Sequence, residues 1–164
     1  MHVKELMQRP VVVCATDDTL NDAARLMWEN DLGSIPVVDR DGRLAGIITD
    51  RDICMAGYTQ GLPPAAISVT TTMTANVLCC HIDDVVDTAE QLMREGQVRR
   101  LPVIDNDGRP IGVIALNDLA RLAASARRSG IERELIQTLA AICAPRLSAD
   151  RPRHDALSGP AALA

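Results

Sequence analysis

Gly46-Ile47-Ile48-Thr49-Asp50-Arg51-Asp52 is the stretch of this 164-residue chain best equipped for chemistry. A carboxylate at the third position of a helix can accept hydrogen bonds from two neighbouring ligand hydroxyls, and its charge strengthens them. A hydroxyl three residues earlier, beside the free N–H groups of a helix start, can meet an anionic oxygen. A glycine ahead of both lets a ligand or a neighbouring backbone approach closely. The same Thr49-x-x-Asp52 spacing is also an acidic variant of the helix capping box, which needs no ligand. Both readings fit the residues. Further on, Ala115-Leu116-Asn117-Asp118 keeps the acid and lacks the hydroxyl. Asp118 therefore cannot belong to a reciprocal cap, although an acid in a first helical turn is favourable anyway. Anionic groups need positive charge opposite them, and Arg99-Arg100 is the best supply.

Other chemistries lack their residues. His2, His81 and His154 are scattered, no Ser or Cys nucleophile has a base beside it, and there is no Walker-type phosphate loop. Catalysis is not expected. The five cysteines (Cys14, Cys54, Cys79, Cys80 and Cys143) are odd in number and without CxxC spacing. Most lie in apolar runs, where free Cys behaves as a small hydrophobe. His81 beside Cys79-Cys80 lacks the spacing of a zinc site. This cysteine usage fits a reducing cytoplasm. So does Met1-His2-Val3-Lys4-Glu5, which is charged where a secretory leader needs an apolar run. No stretch approaches the length of a membrane span. The net charge is −5, and the only aromatics are one Trp and one Tyr. An acidic chain with almost no stacking surfaces is not built for long nucleic acids.

The elements that position these residues come in two copies. Residues 7–56 align without a gap on 73–122, and 18 of the 50 positions are identical. Each copy predicts the order β-α-β-β-α. Extended runs (Pro10 to Cys14; Asn76 to Ile82) precede helices started by Asp17-Asp18-Thr19 and by Asp83-Asp84. Apolar strands then flank Asp41-Gly42 and Asp107-Gly108 turns. Second helices start at Thr49 or Asp50, and at Leu116 or Asn117. Gly57 to Pro64 reads as a linker, Ser129-Gly130 as the end of a helix, and Ile131 to Ala144 as a further helix halted by Pro145. That last helix is expected to show Ile131, Leu135, Leu139 and Ile142 on one face. Trp28 aligns with Arg94, so it is expected to face outward, as a dimer contact or as partly covered surface. Residues 148–164 lack periodicity and read as disordered.

Each copy resembles a cystathionine-β-synthase (CBS) domain, on Ile35-Pro36-Val37-Val38-Asp39 through Asp52 and on Leu101-Pro102-Val103-Ile104-Asp105 through Ile114. The pair is similar to a free-standing tandem (Bateman) module, and the last helix resembles that of small hypoxic-response CBS proteins. The resemblance implies an α+β fold of two pseudo-twofold-related repeats with small three-stranded sheets. The repeats with their leaders are 1–60 and 61–128, followed by a C-terminal helix (129–147) and a tail.

The resemblance also implies a regulatory module with clefts for adenosine-containing ligands: AMP, ADP, ATP, NAD or S-adenosylmethionine. None is required as a cofactor. It implies pairing into a homodimer and an effector protein that the sequence leaves unknown. Thr49 and Asp52 would hold ribose and phosphate, and Arg99 and Arg100 would reach the phosphate across the repeats. Val13, Cys14, Ala15, Thr16 and His81 would flank the base. Asp118 would serve a second, poorer site opposite Gly33 and Ser34, which supply no charge. The alternative is an interaction protein of the same fold whose cleft is unused.

Overall fold

The computed structural model describes residues 1–125 and 129–144, and in it the sequence repeat is a repeat of structure. The first copy runs β1 (Cys14–Ala15), α1 (Leu20–Glu29), β2 (Ser34–Val38), β3 (Leu44–Thr49) and α2 (Asp50–Gln60). The second runs β4 (Cys80–His81), α3 (Val86–Gly96), β5 (Arg100–Ile104), β6 (Pro110–Ala115) and α4 (Leu116–Ser125), and α5 (Ser129–Ile142) follows. The fold is α+β. In each copy the first strand joins its sheet parallel through a helical crossover, and a tight hairpin adds the third strand antiparallel. Gly42 and Gly108 sit at φ +77° and +78°, which the hairpin turns require. Asp39 and Asp105 lock those turns, each accepting from two backbone N–H groups at 2.9–3.0 Å.

The two hydrophobic cores exchange their leaders. Val3 and Met7 lie in the second copy's core with Met93, Leu101 and Ile114. Ile67 and Val69 lie in the first copy's core with Leu20, Ile35 and Ile48. The backbone follows the same exchange, with Gln8 bridging to Val113 in β6 and Thr74 to Ile47 in β3. The extended runs expected at Pro10 to Cys14 and Asn76 to Ile82 are therefore mostly crossovers between copies. Only two residues of each join a sheet as strand. The hairpins also touch: the Leu44 N–H donates to the Gly108 carbonyl at 2.9 Å. Pro110, at the equivalent position, has no N–H to return the bond.

Several boundaries differ from expectation. The Asp pairs do not cap the helices. Thr19 caps α1 in a box with Asp22, and Val85 precedes α3 without a side-chain cap. Asp18 and Asp84 instead hold the turn before each helix, accepting from the N–H of Ala15 at 2.8 Å and of His81 at 2.7 Å. α2 runs through Gly57 to Gln60 and ends on left-handed Gly61, so the linker starts later than its glycines suggested. Ser129-Gly130 begins α5 instead of ending α4. On α5, Leu135 packs on the second core and Thr138 and Ile142 are buried, while Leu139 is exposed. The Ile131 side chain, Pro145 and the 148–164 tail lie outside what is described. α5 covers α3 and α4, and the Gln97 amide donates to its last carbonyls, Ala141 at 3.1 Å and Ala144 at 3.2 Å.

Candidate functional site

β3 delivers Thr49 to the start of α2, where its side chain and that of Asp52 satisfy each other. Thr49 Oγ1 accepts from the Asp52 N–H at 3.1 Å, and Asp52 Oδ2 accepts from the Thr49 N–H at 2.9 Å and its hydroxyl at 2.7 Å. This is the capping box of the ligand-free reading, and it uses only one carboxylate oxygen. Oδ1 of Asp52 has no partner among the described residues, and the side chain is partly open to solvent.

Arg100 crosses from the second copy to the first. Its Nη1 donates to Ser34 Oγ at 3.1 Å, and Ser34 is the direct cross-strand neighbour of Thr49, a separation of about 5 Å. Ser34 and Arg100 occupy equivalent positions 66 residues apart, so this contact lies on the pseudo-dyad. Arg100 pairs with no carboxylate among the described residues. Gly33 keeps the approach narrow, since a Cβ there would stand 3.4 Å from Asp50 Oδ2 and 3.7 Å from Arg100 Nη1. Arg99 is exposed and contributes its carbonyl to the start of α4. Sequence reasoning missed Ser34 and Asp50 at this site. Their signal was the β2–β3 register, which follows once the hairpin turn is fixed.

The acid of the second copy is in a different state. Asp118 is fully buried. Its Oδ2 accepts from the Ala115 N–H at 2.7 Å, and its Oδ1 accepts from Gln8 Nε2 at 2.9 Å and from the Arg121 guanidinium. Both oxygens are engaged within the chain.

The residues expected around the base are dispersed. Val13, Ala15 and Thr16 are half-buried at the crossover into β1, and the Thr16 N–H pairs with the Val38 carbonyl at 3.0 Å. Cys14 is 2 % exposed, and its thiol donates into the core side of the turn, to Asp18 Oδ2 at 3.2 Å. Burial first, and the Asp18 carboxylate second, push that thiol up to about 12. Cys80 is equally buried and pushed up to about 12 by burial. Neither side chain lines a cleft, which for Cys14 corrects the expectation: both turn into the cores of their copies. The His81 ring is held within the second copy by Asn106 Oδ1 at 2.9 Å and the Asp83 N–H at 3.3 Å. Among the described residues no group of three His, Cys, Asp or Glu could hold a metal ion.

Two cavities frame the site, and Asp50 is the site residue that lines one of them. One, of about 480 Å³, lies between the copies beneath the 75–79 crossover and is lined by Arg43, Val77, Cys79, Ile104 and Asn106. The other, of about 540 Å³, opens between α1 and α2 beside Met27, Trp28, Asp31, Asp50 and Ile53. No helix of the described residues is long and apolar enough to cross a membrane.

The family model for the CBS domain matches residues 3–58 and 66–125. The CBS domain-containing protein YhcV of Bacillus subtilis is 36% identical over 118 residues, 72% of this chain and 82% of that protein. Hypoxic response protein 1 of Mycobacterium tuberculosis is 31% identical over 142 residues, 87% of this chain and 94% of that protein. A crystal structure of Hypoxic Response Protein I with two coordinated zinc ions matches with a TM-score of 0.67 at 31% identity, covering 74% of this chain and 98% of that one. The CBS domain pair of protein MJ0100, solved with 5′-methylthioadenosine and S-adenosyl-L-methionine, matches with a TM-score of 0.68 at 27% identity, covering 76% and 96%.

Proposed function

The chain belongs to the CBS-domain family and carries the domain twice, and on that footing we propose that it is a non-catalytic, cytoplasmic regulatory module. It binds an adenosine-containing nucleotide between its repeats and signals through a contact with a second copy or an effector protein. The observation that carries this reading is the Arg100 guanidinium. It reaches across the pseudo-dyad to Ser34, beside Thr49, and forms no ion pair among the described residues, the Asp50 carboxylate standing near without pairing to it. Arg100 is half-buried, and a phosphate is the ligand group that would complete its guanidinium with charge-assisted hydrogen bonds. Asp52 Oδ1 supplies the acceptor for ribose hydroxyls on the same helix start. The ligands of the MJ0100 pair support the adenosine class. The arginine favours AMP, ADP, ATP or NAD over the cationic sulfonium of S-adenosylmethionine. A ligand spanning both copies biases their relative orientation by its differential affinity. Five free thiols suit a reducing compartment.

The capping box favours a second reading, in which Thr49 and Asp52 merely start a helix and the protein acts through its surfaces. Thermal unfolding separates the two, because a ligand that binds only the folded state raises the melting temperature. The nucleotide reading expects a rise with AMP, ADP, ATP or NAD that exceeds the rise with S-adenosylmethionine. No shift with any of the five at millimolar concentration would leave the second reading standing.

A further inference from the structure

Asp52 and Asp118 can be compared atom by atom. In each, Oδ2 accepts the N–H of the residue three before it, at 2.9 Å from Thr49 and 2.7 Å from Ala115. Asp52 Oδ2 also accepts from the Thr49 hydroxyl, and the remaining difference lies in Oδ1. Asp118 Oδ1 is taken by Gln8 and Arg121, whereas Asp52 Oδ1 has no partner among the described residues. The cause is legible in the repeat. Sixty-six residues from Gln8 stands Thr74, and sixty-six before Arg121 stands Met55. Thr74 bridges to Ile47 as Gln8 bridges to Val113, so the backbones correspond, but the threonine is too short to reach the acid. Met55 has no donor to offer. The leader exchange is what brings Gln8 here, since the first copy's leader lies on the second copy's sheet.

We infer that Gln8 and Arg121 are built-in occupants of the second copy's ribose position, so that each chain keeps a single open site, that of the first copy. The inference rests on the nucleotide reading and adds a cause for its stoichiometry. Gln8 supplies the amide N–H, and Arg121 the charge-assisted donor, that a ribose diol would otherwise bring to Oδ1. A ligand would have to displace both, and its hydroxyls offer no better bonds in return. Among the described residues the first copy has no such internal competitor.

The test exchanges the residues between copies. Q8T/A115T/R121M gives the second copy the side chains of the first, and T74Q/M55R, at two exposed positions, gives the first copy the plug of the second. Calorimetric titration uses AMP, ATP and S-adenosylmethionine, with thermal unfolding to confirm folded protein. The expected results are one site per chain in the natural protein, a second and weaker site in Q8T/A115T/R121M, and at least tenfold weaker binding in T74Q/M55R. Two equal sites in the natural protein overturn the inference. So does unchanged affinity in T74Q/M55R, or a folded Q8T/A115T/R121M that still binds one ligand. No heat from any of the three proteins instead overturns the nucleotide reading, and the inference with it.

Discussion

Gly46 lies directly beneath Met73: a Cβ on Gly46 would stand 2.5 Å from the Met73 sulfur and 3.0 Å from the Thr74 carbonyl oxygen. Gly112 has the same relation to Met7, at 2.6 Å, and to the Gln8 carbonyl, at 3.0 Å. A thioether can swing aside. A carbonyl cannot, because Ile47 and Thr74 exchange backbone hydrogen bonds at 2.9 and 3.0 Å there. The two glycines are thus where each copy accepts the other's leader. Gly46→Ala is expected to destabilise by about 1–3 kcal/mol, the usual cost of overpacking. For a chain of this size that lowers the melting temperature by several degrees, at about 2–4 °C per kcal/mol. Met73→Ala in the same chain should not restore it. An unchanged melting temperature in Gly46→Ala would mean that the leader does not rest on β3.

Asp52→Asn keeps the shape of the capping box and removes the charge. The expected cost in stability is small, because the amide oxygen still accepts from Thr49. Its cost in nucleotide affinity is expected to be about 10- to 100-fold, since hydrogen bonds to a charged group contribute roughly 1.5–3 kcal/mol and each 1.4 kcal/mol is about a factor of ten. Asp118→Asn should do the reverse, lowering the melting temperature through a buried, fully bonded carboxylate and leaving affinity unchanged. Titration calorimetry and scanning calorimetry on the two variants read the split. Equal losses of affinity in both would show that the copies share the ligand evenly.

The order of elements, the hairpin turns and the starts of α2 and α4 were legible because they depend on local residues: apolar alternation, Asp-Gly turns and a threonine at a helix start. The leader exchange was not legible. Met7 and Met73 look alike in sequence, and nothing local says that each packs on the other copy's sheet. That single long-range fact hid the fate of Asp118, whose partner Gln8 lies 110 residues away. Cys14 was misjudged for a related reason. Two-residue strands give no alternation pattern from which to read which way a side chain turns. Arg100 was found because charge is visible in sequence, but its landing point, Ser34, needed the pseudo-dyad.

Glu90 makes the docking of α5 sensitive to pH. It is 5 % exposed on α3, the helix that α5 covers, and burial chiefly, with the Glu134 carboxylate of α5 and Asp87 behind it, pushes its carboxyl above the ordinary value; Arg94 opposes them. The folded protein therefore holds this proton more tightly than the unfolded chain does. Stability is greatest while Glu90 is protonated in both states and falls as pH rises from about 4.5 through its higher folded value. Glu90→Gln is expected to raise the melting temperature at pH 7 and to match the natural protein below about pH 4. A variant that is less stable than the natural protein at pH 7 would mean that the charge is favourably partnered. In the first copy the same helical position is Ala24, and no counterpart of α5 covers it among the described residues.

That uncovered face holds the only Trp and the only Tyr of the sequence, Trp28 at 88 % and Tyr58 at 83 % exposure. Trp28 lines the groove between α1 and α2, Tyr58 stands near the end of α2, and aromatic residues are enriched where proteins meet. The equivalent residues of the second copy are Arg94 and Ala124, on helices that α5 already covers. If two copies pair, the first copy's face is the one left open for it. Trp28→Arg with Tyr58→Ala, which gives that face the second copy's residues, is expected to sediment as a monomer at concentrations where the natural protein sediments as a dimer. Trp28 also reports the contact directly, as the sole tryptophan: its emission should move to longer wavelength when the natural protein is diluted. A dimer that survives the double substitution would place the contact elsewhere. An emission spectrum independent of concentration, with a natural protein that sediments as a monomer throughout, would leave this face to an effector protein.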